Sequence, residues 1–139
     1  MVASALADGH SIIAESPIDI NIAKQLNILI SDMGLNLERI VMNPTIGALG
    51  YGLEYAYSIM ERARLAALSG DKTLAMPFIC FIGQETWRAK EAKVSPEQGI
   101  IWETITATSL IQSGADLLIM RHPKAVEKVS NYIETLFKK

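Results

Sequence analysis

Short runs of β-branched and other apolar residues alternate along this chain with longer stretches in which apolar side chains recur every three or four positions. That alternation constrains the fold more than any other feature, because strands separated by helices pair in parallel through right-handed crossovers. The first strand is expected at His10 to Glu15 and ends at Ser16-Pro17. Ile18, Ile22, Leu26, Leu29 and Ile30 then line one helical face, and Gly34 after Met33 closes that helix. A second strand runs from Arg39 to Met42, continuously apolar through Ile40-Val41-Met42, as suits a strand covered on both faces. The spacing predicts a helix from about Leu53 to Leu68, a third strand from Phe78 to Ile82, a polar loop, a helix over Gly99 to Gln112 and a fourth strand from Asp116 to Met120. Pro123 suits the first turn of a final helix.

The fold class is therefore α/β, with four consecutive βα units and parallel strands. Two architectures accommodate it: an open sheet, or half of a (β/α)₈ barrel, which normally takes about 250 residues. Ser4 to Asp8 reads as the tail of an earlier helix, which favours the C-terminal half of a barrel. Such a half has unpaired edges and one bare sheet face, so it needs a missing half or a second copy and is prone to self-association. With 139 residues the chain makes one domain, residues 1–139.

Composition narrows the partners. Half of the residues are apolar and the net charge is −2, with basic residues scattered among slightly more acidic ones. Neither nucleic acid nor an acidic membrane surface is expected, since both call for a surplus of Lys and Arg on one face. No apolar stretch approaches the roughly 18 to 20 residues that cross a bilayer, and Met1 to Gly9 lacks the pattern of a secretory signal, so a cytoplasmic location is expected. The single cysteine, Cys80, cannot by itself hold an iron–sulfur cluster or a structural zinc, so any cluster belongs to another chain.

In either architecture a ligand lies at the carboxyl ends of the strands. Those ends carry Glu15, Asn43, Thr45, Glu85, Arg121 and His122, a mixture of acid, amide, hydroxyl, cation and imidazole suited to a polar organic ligand. Each is also an ordinary turn residue, and Arg121 could equally pair with Glu15 or Glu85. The stretch from Asn43 to Gly52 places Gly47, Gly50 and Gly52 before a helix, where backbone can approach a ligand closely or simply turn tightly. It is neither a Walker loop nor a Rossmann fingerprint. His122 lacks companions at metal spacing, and Ser16 and Ser113 lack a nucleophile elbow, so neither a metal site nor hydrolase chemistry is indicated and no catalytic residue is assigned. Trp87 and Trp102 read as packing residues.

Three segments together carry a resemblance: Ser16-Pro17-Ile18-Asp19 with Ala23 to Leu29, Val41-Met42-Asn43-Pro44-Thr45 through Gly47 to Tyr55, and Gly114-Ala115-Asp116 leading into Met120-Arg121-His122-Pro123. They resemble the delta subunit of the CO dehydrogenase/acetyl-CoA synthase complex, the equivalent of the small subunit of the corrinoid iron–sulfur protein, over its C-terminal half. The resemblance implies a TIM barrel that pairs with a large (gamma) subunit bearing the iron–sulfur cluster and most of the cobamide site. It implies that this chain helps to hold a corrinoid carrying a methyl group from a methyl-pterin or methyl-folate donor to acetyl-CoA synthase, with a methyltransferase and the synthase as transient partners. On that reading Asn43, Thr45, Gly47, Gly50, Glu85, Arg121 and His122 line one cavity against the cofactor, whose chemistry the protein positions and shields. Rival readings are a pterin-binding barrel methyltransferase, with Asn43 and Glu15 on the pterin ring, and a purely structural half-barrel.

Overall fold

The computed structural model describes residues 1–138. Helix α1 (Val2–Asp8) ends at Gly9 and leads into strand β1 (Ile12–Glu15). Helix α2 (Ile20–Asp32) begins at Asp19, whose carboxylate accepts from the N–H groups of Asn21 and Ile22, and ends where Gly34 turns left-handed at φ +96°. Strand β2 (Ile40–Asn43) precedes helix α3 (Leu53–Leu68). Strand β3 (Ile79–Cys80), the short helix α4 (Ile82–Thr86) and helix α5 (Pro96–Gln112) come next, followed by β4 (Leu117–Leu118) and α6 (Pro123–Phe137).

Strands β1 and β2 pair in parallel with Ile12 beside Ile40 and Glu15 beside Asn43. Strands β3 and β4 pair in parallel with Ile79 beside Leu117. A parallel bridge between Met42 and Phe78 seats β3 next to β2, so the strands lie in chain order. Burial alternates along β1: Ile12 and Ala14 are buried, Ile13 and Glu15 exposed. One face of the pleat, with Ile12, Ala14, Ile40, Met42 and Cys80, packs into the main core together with Ile30, Ala56, Met60 and Leu110 of the helices. The other face leaves Ile13 45%, Leu117 47% and Ile119 47% exposed. That face is therefore bare at β1 and β4, whereas Ile79 of β3, beside Leu117, is buried.

Several boundaries differ from the sequence reading. His10, Ser11 and Arg39 lie outside the strands, because pairing starts only at Ile12 and Ile40. The third strand stops at Cys80: Phe81 caps and Ile82 opens α4, a helix too short for a periodic signal to stand out in the expected polar loop. The fourth strand spans Leu117 and Leu118 alone, since the Asp116 carboxylate takes the Phe78 N–H at 2.8 Å in place of a ladder carbonyl. Ser95 caps α5 by accepting the Gln98 N–H, moving that helix's start forward to Pro96. No helix among the described residues is long and apolar enough to cross a membrane.

Candidate functional site

Parallel strands deliver their carboxyl ends to one side, and there the chain turns sharply after β2. The Thr45 backbone adopts φ +55°, uncommon for a β-branched residue, and two bonds hold it there. Its N–H donates to the Asn43 side-chain oxygen at 3.2 Å, and its hydroxyl donates to the Ser16 carbonyl at 2.5 Å. The Ser16 N–H in turn donates to the Asn43 carbonyl at 3.0 Å, extending the β1–β2 ladder into the rim. With the Asn43 oxygen committed to this turn, its amide nitrogen is the donor left to face a ligand.

A cleft of about 160 Å³ opens at this point, lined by Glu15, Asn43, Thr45, Ile46, Phe81, Gln84 and Glu85. It adjoins a groove of about 760 Å³ along the bare sheet face, with which it shares Glu15, Asn43 and Phe81. The structure therefore brings Asn43, Thr45 and Glu85 together with Glu15. Gln84, absent from the candidates read from sequence, joins them because α4 swings it onto the rim. Its segment, Gly83 to Trp87, follows the third strand in the sequence as well, but the five-residue helix that turns Gln84 onto the rim left no periodic signal.

The remaining candidates lie elsewhere. Arg121 lines a neighbouring cleft of about 490 Å³ with Gly83, Gln84, Trp87 and Met120, so Gln84 is the residue shared by the two. Its guanidinium sits 5.1 Å over the Trp87 ring rather than on Glu15 or Glu85, and Glu85 pairs instead with Arg88 at 2.8 Å. His122 caps α6 by accepting the Lys124 N–H at Nδ1, at 3.2 Å, and stacks on Trp87 at 6.0 Å. Gly47 and Gly50 shape the turn before α3 and line neither cleft. A Cβ on Gly47 would lie 2.2 Å from the Tyr51 carbonyl oxygen, and Gly50 turns left-handed at φ +79°. Partners within the chain already occupy the backbone between them, since the Leu49 N–H donates to Thr106 and the Leu49 carbonyl accepts from the Trp102 indole. The glycine-rich stretch is thereby explained by backbone geometry and packing.

One charged residue of this rim escaped the sequence reading. Glu103 is fully buried on α5, with its carboxylate bonded to the Trp87 indole and to backbone N–H groups beyond β4. A signal existed: Ile100, Glu103, Ala107 and Leu110 follow helical spacing, which sets a carboxylate on an apolar face. At the end of β3, burial first and the charge of Asp116 second push the Cys80 thiol up to about 12, so it carries no thiolate at neutral pH.

A family model described as CO dehydrogenase/acetyl-CoA synthase delta subunit matches residues 1–133. The chain belongs to that family. It is 43% identical over 96% of its length to the acetyl-CoA decarbonylase/synthase complex subunit delta of Methanopyrus kandleri, of which the match covers 35%. It is 37% identical over 96% of its length to subunit delta 1 of Methanosarcina thermophila, of which 34% is covered. The corresponding subunit of Archaeoglobus fulgidus is 39% identical over 92% of this chain and is covered to 31%. The chain spans about a third of the length of these curated relatives. The delta-subunit resemblance seen in the sequence is thus correct at the level of family.

Proposed function

We propose that this delta-family chain supplies one wall of a corrinoid site, closed on its other side by a large (gamma) corrinoid iron–sulfur subunit. The observation that carries this reading is the cleft at the strand ends, where the Asn43 amide, the Gln84 amide, Thr45 and Glu15 converge. A corrin is edged by amide side chains that both donate and accept, and the two amides with the Glu15 acceptor answer that edge. About 160 Å³ is below the roughly 300–1,000 Å³ of a pocket that encloses an organic ligand. It has room for a substituent on the edge, and a partner subunit would cover the rest. Bound corrinoid would supply methyl-carrying cobalt chemistry, with the methyl group passing from a methyl-pterin or methyl-folate donor through a methyltransferase to acetyl-CoA synthase. The iron–sulfur cluster belongs to the partner. This chain's own residues orient the edge and exclude water from it.

The chain order of the strands, with core helices packed on one face and the other face bare, supports the half-barrel architecture. A second reading, a pterin-binding methyltransferase, draws on the register that places Glu15 beside Asn43 on that bare face, an acid and an amide suited to a pterin ring.

Two substitutions in the assembled complex test the corrinoid wall. Gln84→Ala removes an exposed amide, while Asn43→Asp keeps the oxygen that holds Thr45 and removes the free donor. Each is expected to weaken retention of aquocobalamin by about five- to tenfold, the worth of one hydrogen bond. Unchanged cobalt content in both variants would make the rim structural, and binding of methyl-tetrahydropterin by this chain alone would favour the second reading.

A further inference from the structure

Glu103 lies fully buried on α5, and its three hydrogen-bond donors all come from the rim rather than from the core. The Trp87 indole Nε1–H donates at 2.8 Å, the His122 N–H at 3.2 Å, and the Arg121 N–H donates to the other carboxylate oxygen. These donors sit just beyond α4, beyond β4 and at the start of α6, so one carboxylate fastens the surroundings of three elements. One turn earlier on the same helix face is Gly99, where a Cβ would lie 2.4 Å from the indole ring. Gly99 and Glu103 together make a socket for Trp87. The Arg121 guanidinium rests 5.1 Å over that ring, and Gly83 presses on the other side of the same segment, where a Cβ would lie 2.7 Å from the Arg121 nitrogen. Arg121 forms no ion pair among the described residues, so its charge remains available.

We propose that Glu103 is a positioning residue: through the Arg121 backbone and the Trp87 ring it stands the Arg121 guanidinium over the cleft beside Gln84, as the cationic end of the ligand wall. The proposal rests on the corrinoid reading above. Its physical basis is the cost of a buried carboxylate. A strut for the core alone is served as well or better by a hydrocarbon of similar volume, whereas this charge is answered solely by groups that orient the rim. An acceptor with two oxygens can satisfy an indole and two successive backbone N–H groups at once, which no apolar residue does.

A double-mutant cycle in the assembled complex, with aquocobalamin as probe, separates positioning from simple support. Arg121→Ala and Glu103→Gln are each expected to weaken binding about tenfold, and the double variant to bind no more weakly than the weaker single one, because Glu103 acts through Arg121. Amide exchange at Arg121 and His122 should accelerate in Glu103→Gln while the β1–β2 ladder keeps its protection. Should Glu103→Gln fail to fold, Trp87→Phe keeps a ring under the guanidinium and deletes the indole bond, and a loss of about threefold is expected in its place. Additive losses would overturn the proposal. So would unchanged binding in Arg121→Ala while Gln84→Ala and Asn43→Asp weaken it, an outcome that spares the corrinoid wall. If all four variants bind aquocobalamin as the parent does, the corrinoid reading falls, and this inference with it.

Discussion

The two ends of the sheet are fastened by different chemistry. At the amino ends, charged side chains do it. The Arg64 guanidinium donates to the Gly114 carbonyl at 2.8 Å and to the Asp116 carboxylate, and lies 5.0 Å over the Phe78 ring. Arg39 donates to the carbonyls of Ala5 and His10, and Lys24 reaches Asp71 at 2.6 Å. At the carboxyl ends, backbone turns do it, through Thr45, Gly47 and Gly50, and through the N–H groups that Glu103 gathers. The difference teaches where function can sit. At the carboxyl end Glu15, Gln84 and Arg121 face clefts, and none of the three is in an ion pair among the described residues.

The largest effect expected is from a backbone change at the carboxyl end. Gly47→Ala would force a methyl group to within 2.2 Å of the Tyr51 carbonyl oxygen, and neither backbone segment can yield cheaply. A loss of about 3 kcal/mol or more is expected, read as a fall in the urea midpoint, and a loss below about 1 kcal/mol would show that this turn is not what fastens the rim. Arg64→Ala, the matching side-chain change at the amino end, is expected to cost about 2 kcal/mol. The Arg64 side chain is 30% exposed, so solvent already weakens its ion pair, and most of the loss comes from the Gly114 and Met76 carbonyls it leaves behind. A thermal midpoint that stays put in Arg64→Ala would erase the contrast between the two ends.

Much of this comparison was legible in the sequence, and the parts that were not have physical causes. Four βα units, Gly34 after the end of α2, and Pro123 at the start of α6 followed from periodicity and capping rules. The rim residues Asn43, Thr45 and Glu85 were found because they follow apolar strands. Arg121 and His122 were grouped with them on the same ground, and the structure sets them one cleft away because α4 intervenes between β3 and the rim. Five residues give no periodic signal, so the segment Gly83 to Trp87 was placed at the strand end but not as the helix α4. The glycines from Gly47 to Gly52 looked like a ligand cradle, yet Thr106 and Trp102, more than fifty positions later, consume the backbone at Leu49. A contact over that separation leaves no local trace.

Acid sharpens the comparison from the amino end. Lys24 foremost, with the Thr73 hydroxyl second, holds the Asp71 carboxyl below its ordinary value of 3.8. The folded state therefore takes up that proton less readily than the unfolded chain. Its stabilising contribution is complete above the ordinary carboxylate range and is lost as pH falls through the folded value. Denaturant titrations from about pH 5 down to about pH 3 should show stability falling, and Asp71→Asn should flatten part of that slope. An identical slope in the variant would mean that Lys24 and Asp71 contribute nothing at this end.

The smallest expected effect bears most directly on function. Arg121→Ala removes a guanidinium that is exposed, pairs with no carboxylate among the described residues and rests on the face of Trp87. The backbone N–H that Glu103 accepts survives the substitution, so the rim keeps its fastening. A cation over an aromatic ring at an exposed site is worth about 0.5–1 kcal/mol, and part of that returns when water replaces the guanidinium. Stability should therefore drop by less than about 1 kcal/mol, well under the cost at Arg64. Two arginines of one chain, each resting on an aromatic ring, would then differ in what they serve: one closes the amino end, the other is held out at the carboxyl end. Parallel urea titrations of the two variants decide the matter, and an Arg121→Ala loss equal to that of Arg64→Ala would mean that both ends are built for stability alone.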